Sequence, residues 1–133
     1  MIHLIIPGKL PGLNDYIRAC RGSRYGGAQM AKSAEKVIKA AAKPQLRGIH
    51  FNRPVVMHYT WVEPDRKRDK DNIAFAKKFI QDSLVQLDVL RNDGWKEIEN
   101  FTDTFDVDPE NPRVEIEITE VEDDGQKRAE KEL

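Results

Sequence analysis

Two rhythms of hydrophobic and polar positions run along this chain, one with the period of a strand and one with the period of a helix. Residues 113–121 alternate Val114, Ile116 and Ile118 on one side with Arg113 or Thr119, Glu115 and Glu117 on the other, the pattern of a strand with one wet face. Residues 2–6 form a short apolar run stopped by Pro7-Gly8 and read as a first strand. Residues 54–63 (Pro-Val-Val-Met-His-Tyr-Thr-Trp-Val-Glu) are β-branched or aromatic on both alternating sets, which predicts a central strand covered on both faces. His58 inside it has no second His or Cys at ligand spacing, so it reads as a hydrogen-bonded core histidine. A further strand is expected around residues 96–105, after the turn Arg91-Asn92-Asp93-Gly94-Trp95.

The helical rhythm is clearest over residues 71–87. At about 100° per residue from Asp71, the residues Ile73, Ala76, Ile80, Leu84 and Leu87 fall within roughly 40° of the opposite direction and form the buried stripe. Lys78 and Asp82 lie about 20° to either side of the Asp71 direction, whereas Lys77 points roughly 120° away. A second helix is expected from Ser33, an N-cap residue with Glu35 in the first turn, to just before Pro44. Its Lys36, Lys39 and Lys43 share one face, which a solvated helix also has. Residues 7–29, rich in Gly, Arg and Asn, show no sustained period and read as a long ordered loop. Four strands and two main helices define a small α+β domain over residues 1–121, and the almost wholly polar residues 122–133 are expected to be a disordered tail.

Composition narrows the class. The chain has 133 residues, enough for one core, with 39% hydrophobic and 34% charged residues, so a wet functional face is expected. The net charge of −1 conceals an asymmetry: residues 1–100 carry 18 Lys+Arg against 11 Asp+Glu, and residues 101–133 carry 4 against 12. A basic body with an acidic end suits a polyanionic partner. Cys20 is the only cysteine, which leaves no intramolecular disulfide and no cysteine-rich zinc site. The N-terminus lacks a basic leader region, and no window approaches the ~18 apolar residues of a membrane span. A cytoplasmic setting without a membrane partner is therefore expected.

Candidate chemistry concentrates at Arg66-Lys67-Arg68-Asp69-Lys70-Asp71-Asn72. Two carboxylates two residues apart stay ionised together most readily with a hard, oxygen-ligated cation between them, and the cations Arg66, Lys67, Arg68 and Lys70 suit phosphates. Helix capping is the plainer account of Asp69 and Asp71. It leaves unexplained the four cations around them and the continuation of the stripe through Lys78 and Asp82. Asp93 is open in the same way, because Asn-Asp-Gly is a common turn. Arg18, Arg21 and Arg24, interleaved with Tyr16 and Tyr25, could contact phosphates and stack on bases, although surface loops often carry this mixture.

The succession of a strand, Arg68-Asp69-Lys70-Asp71-Asn72 opening a helix, a helical lysine with an aspartate four residues on, and Asn92-Asp93-Gly94 before the next strand resembles the RusA-type Holliday-junction resolvases, small phage- and prophage-associated endonucleases. The likeness extends to the early strand with its proline exit and Asn14, and to the Val-Glu-Ile-Glu-Ile ending. It implies a homodimeric α+β protein with a mixed four-stranded sheet that cuts four-way DNA junctions with Mg²⁺, or Mn²⁺, and needs no small-molecule cofactor. It further implies that Asp69, Asp71 and Asp93 are the essential carboxylates and metal ligands, and Lys78 the essential lysine. In the enterobacterial type the lysine follows the second aspartate by about one helical turn; here it follows by about two, with Ala74-Phe75-Ala76 as the inserted turn.

Two rivals belong to other classes. A catalytically silent junction-binding protein would use the aspartates as caps and Lys78 as a backbone contact. A phosphohydrolase of small phosphates is disfavoured by the basic segment and by the lack of a Gly-rich phosphate cradle.

Overall fold

The four expected strands resolve into one mixed sheet in the computed structural model, which describes residues 1–122. Except for Glu122, the polar tail expected at 122–133 lies outside the described residues. In chain order the elements are β1 (Ile2–Pro7), α1 (Leu13–Gly22), α2 (Gly26–Gln45), β2 (Val55–Glu63), α3 (Lys70–Ala74), α4 (Lys77–Gln86), β3 (Ile98–Val107) and β4 (Arg113–Glu120). The strands are ordered β1-β4-β2-β3, with β4 antiparallel to both neighbours and β3 parallel to β2. That parallel pair requires a crossover, which α3 and α4 supply. No helix among the described residues is long and apolar enough to cross a membrane.

One face of the sheet carries the core. Leu4, Ile6, Met57, Tyr59, Trp61, Ile116 and Ile118 are buried together with Ile38 and Ala42 of α2 and Ile80 and Leu84 of α4. The other face is only partly covered, short of the expectation that β2 is covered on both sides: Val56, His58 and Thr60 are half-buried, and Val62 is the buried member of that set. His58 is accordingly not a core residue; its ring nitrogens bond the hydroxyls of Thr102 and Thr104 on β3.

Two further departures have identifiable causes. The segment read as a loop over 7–29 contains α1, and α2 starts at Gly26 rather than Ser33. Gly26 and Gly27 are not breakers here but the point where the two helices approach: an added Cβ would lie 1.9 Å from the Ala19 carbonyl oxygen and 2.5 Å from Cys20 Sγ, respectively. At its other end α2 runs through Pro44, and Gln45 bonds both the N–H and the C=O of Ile5, covering the outer edge of β1. Finally, the helix expected over 71–87 is divided at Phe75–Ala76, where the N–H groups of Ala76, Lys78 and Phe79 bond three residues back instead of four. Ile73, Ala76, Ile80 and Leu84 are buried as the periodicity indicates, joined by Phe79 and Ser83.

Candidate functional site

The β2–α3 loop delivers Asp69 and Asp71 to a cavity of about 660 Å³ at the C-terminal ends of the parallel strands β2 and β3. Open sheets commonly bind ligands outside the carboxyl ends of parallel strands. Asp69 occupies the N-cap position of α3 yet makes no side-chain capping bond, while its carbonyl accepts the Ile73 N–H at 3.1 Å. Capping therefore does not explain this carboxylate. Asp71 Oδ1 accepts the neighbouring Asn72 N–H at 2.9 Å, and the rest of its carboxylate faces the cavity lining.

Arg66 and Lys70 line the same cavity from exposed positions, and the Lys70 ammonium stands 5.7 Å from the Phe105 ring centre. Lys67 is exposed on the loop but does not line the cavity; its N–H bonds Asp65 Oδ1. Arg68 has an internal task. Its side chain is 15% exposed, Nε and Nη2 grip the two oxygens of Glu63, and Nη1 donates to the Leu10 carbonyl at 3.0 Å. Glu63, Asp65, Phe105 and Asp106 also line the cavity and were not singled out in the sequence. Asp106 stands next to the last residue of β3, one residue beyond the strand expected at 96–105.

Asn72, the last residue of the Asp-x-Asp-Asn motif, faces α1 instead. Its Oδ1 accepts the Asn14 N–H at 2.8 Å. Gly12 packs so tightly on it that an added Cβ would lie 2.6 Å from Asn72 Oδ1 and 2.8 Å from its carbonyl oxygen. The start of α1 is thus latched onto the start of α3.

Lys78 and Asp93 come together, but in a second place. Lys78 Nζ lies 3.1 Å from Asp82 Oδ1 and 3.8 Å from Asp93 Oδ2. The hydrogen bond to Asp82 holds the Lys78 ammonium above the ordinary lysine range, with the charges of Asp82, Asp93 and Glu35 acting in the same direction and desolvation opposing them. Asp93 borders a depression of about 260 Å³ shared with Gln81, Trp95, Ile98 and Phe101, at the opposite end of β3 from Asp69 and Asp71. Between the two, Lys77 is only 14% exposed; its Nζ bonds Asp103 Oδ2 at 2.7 Å and lies 3.9 Å from the Phe101 ring centre. The indole N–H of Trp61 donates to the other Asp103 oxygen at 2.8 Å. The sequence geometry that favoured Lys78 over Lys77 thus separates an exposed lysine from one built into the sheet.

The expected three-carboxylate set is not assembled: among the described residues no group of three or more His, Cys, Asp or Glu side chains is placed to hold a metal ion. Asp69 and Asp71, in a cavity that Asp65 and Asp106 also line, have the donor chemistry for Mg²⁺, which is commonly bound by one or two carboxylates with water and substrate phosphates completing the shell. Arg18, Arg21 and Arg24 are exposed on α1 and the α1–α2 turn, with Arg18 3.6 Å from Asp15 and the Arg24 guanidinium 5.5 Å from the Tyr25 ring centre. No family model matches the chain, and no curated protein matches it.

Proposed function

We propose that this protein is a Mg²⁺-dependent, structure-selective endodeoxyribonuclease that resolves four-way DNA junctions by paired phosphodiester hydrolysis. The observation that carries the reading is Asp69: a carboxylate at a helix N-cap that caps nothing, beside Asp71, in a cavity rimmed by Arg66 and Lys70. Bound Mg²⁺, held by Asp69 and Asp71, would acidify water and stabilise charge on the scissile phosphate. Arg66 and Lys70 bind the flanking phosphates, and Lys67 extends that contact along the loop, so affinity falls steeply with salt. Lys78 offers a further cation on the Asp93 side, and Arg18, Arg21 and Arg24 offer a third group on α1. Two related cuts are most simply made by two related sites, which a homodimer provides. Recombination and repair within the cytoplasm are the corresponding setting.

The deciding experiment incubates the protein with a fixed four-way junction and a matched linear duplex, each with Mg²⁺, Mn²⁺ or EDTA, and maps cuts on every strand. Symmetric, metal-dependent incision confined to the junction is expected. A second reading, a catalytically silent junction-binding protein, is favoured by the separation of Asp93 from Asp69 and Asp71. It predicts junction binding with no product at any Mg²⁺ concentration.

A further inference from the structure

The two tryptophans have opposite fates. Trp61 is 1% exposed and anchored to Asp103, whereas Trp95 is 98% exposed, with its whole indole in water at the tip of the loop before β3. Packing does not account for Trp95. It stands beside the 260 Å³ depression, whose apolar part is formed by Ile98 and Phe101.

The polar lining has unused capacity of both signs. Gln81 spends its amide N–H₂ on the Tyr59 hydroxyl at 3.1 Å, which leaves its carbonyl oxygen as an acceptor. Asn100 spends its carbonyl on the Phe101 N–H at 2.8 Å, which leaves its N–H₂ as a donor. Asp93 and Glu99 at the border repel phosphate from the interior, while Lys96 follows Trp95 in the chain and Arg91, 3.5 Å from Glu97 and 73% exposed, precedes it by four residues. Such a site rejects the charged part of a nucleotide and accepts the flat, neutral part, with its backbone outside against the cations.

We propose that the Trp95 depression binds an unpaired nucleobase, stacked on the indole and bonded at its edge by Gln81 and Asn100. This rests on the DNA-directed function proposed above and adds a place for a base that has left the duplex at a branch point. A second copy of this chain is the poorer occupant, because the charged Asp93, Lys96, Glu97 and Glu99 crowd the patch and interface cores are depleted of charge.

The test is tryptophan emission during titration with a twelve-nucleotide oligothymidylate, a linear duplex and a fixed four-way junction. Trp61 is shielded, so acrylamide-accessible emission reports Trp95. Single-stranded DNA is expected to quench that emission and shield it from acrylamide. Trp95→Ala is expected to weaken single-strand binding about tenfold, and Trp95→Phe to keep most of the affinity, because any base can stack on an aromatic face. Salt-dependent DNA binding with emission and affinity indifferent to Trp95 would overturn the base site and leave the DNA-directed function standing. No binding to any of the three DNAs would overturn both. A blue shift that grows with protein concentration in the absence of DNA would place Trp95 in a contact between copies and overturn the base site alone.

Discussion

Arg68 holds Glu63 through two parallel hydrogen bonds, Nε to Oε1 and Nη2 to Oε2, both 2.9 Å, with the side chains 15% and 8% exposed. This pair ties the loop bearing Asp69 to the end of β2. Lysine keeps the charge and loses the fork, so Arg68→Lys is expected to cost about 1.5–3 kcal/mol. Thermal unfolding checks it, and an unchanged melting temperature would refute the structural role.

Lys77 and Lys78 are adjacent, yet their substitutions should separate cleanly. Lys77→Met leaves Asp103 with only the Trp61 N–H and is expected to destabilise the fold by about 1–3 kcal/mol. Lys78→Met removes a cation whose side chain is 62% exposed and should change stability by less than about 0.5 kcal/mol, since surface pairs are screened. Urea titration of both variants measures the contrast. Under the proposed function, junction cleavage falls in the Lys78 variant, which remains folded.

Under the proposed function, Asp71→Asn is expected to abolish cleavage while leaving junction binding largely intact, because the loop cations remain. Asp69→Asn should behave alike. Full cleavage by either variant would remove these carboxylates from the chemistry. Asp93→Asn asks whether the second depression takes part at all: loss of cleavage is the outcome expected of a site that draws on both ends of β3.

Alkaline pH should weaken the fold through Tyr59. Burial pushes its hydroxyl well above the ordinary tyrosine value of 10.0, the Asp103 charge adds to this, and the Gln81 hydrogen bond works against it. The unfolded chain therefore releases this proton first. Stability is fully present below pH 10 and falls as pH rises from there toward the folded-state value. Lys78, also raised, adds to the decline above its ordinary value of 10.5. Tyr59→Phe removes the tyrosine part, so its urea midpoint should fall less between pH 9 and 11 than that of the parent protein.

The strands and the buried stripe of α3 and α4 were legible because their period is a local property of sequence. The candidate cavity was legible only through Arg66, Asp69, Lys70 and Asp71, which share a few residues of chain. Arg68 read as one of four phosphate-facing cations, and nothing local revealed that Glu63, five residues earlier on β2, would take its guanidinium. α1 stayed hidden because it buries no residue fully and is anchored by Tyr16, whose ring packs 5.3 Å from Phe75 and 6.2 Å from Phe79, some sixty residues away. Gly26 and Gly27 concealed only the start of α2, residues 26–32, by the same mechanism, since their purpose is set by a neighbouring helix.

The latch between Gly12 and Asn72 bears on how loss of function in this protein is to be understood. Under the proposed function, Gly12→Ala or Asn72→Ala would score as inactive in a DNA-cleavage screen and so be grouped with Asp71→Asn. Their failure would be architectural, curable by lowering the temperature, whereas the aspartate variant would stay inert in a perfectly folded chain.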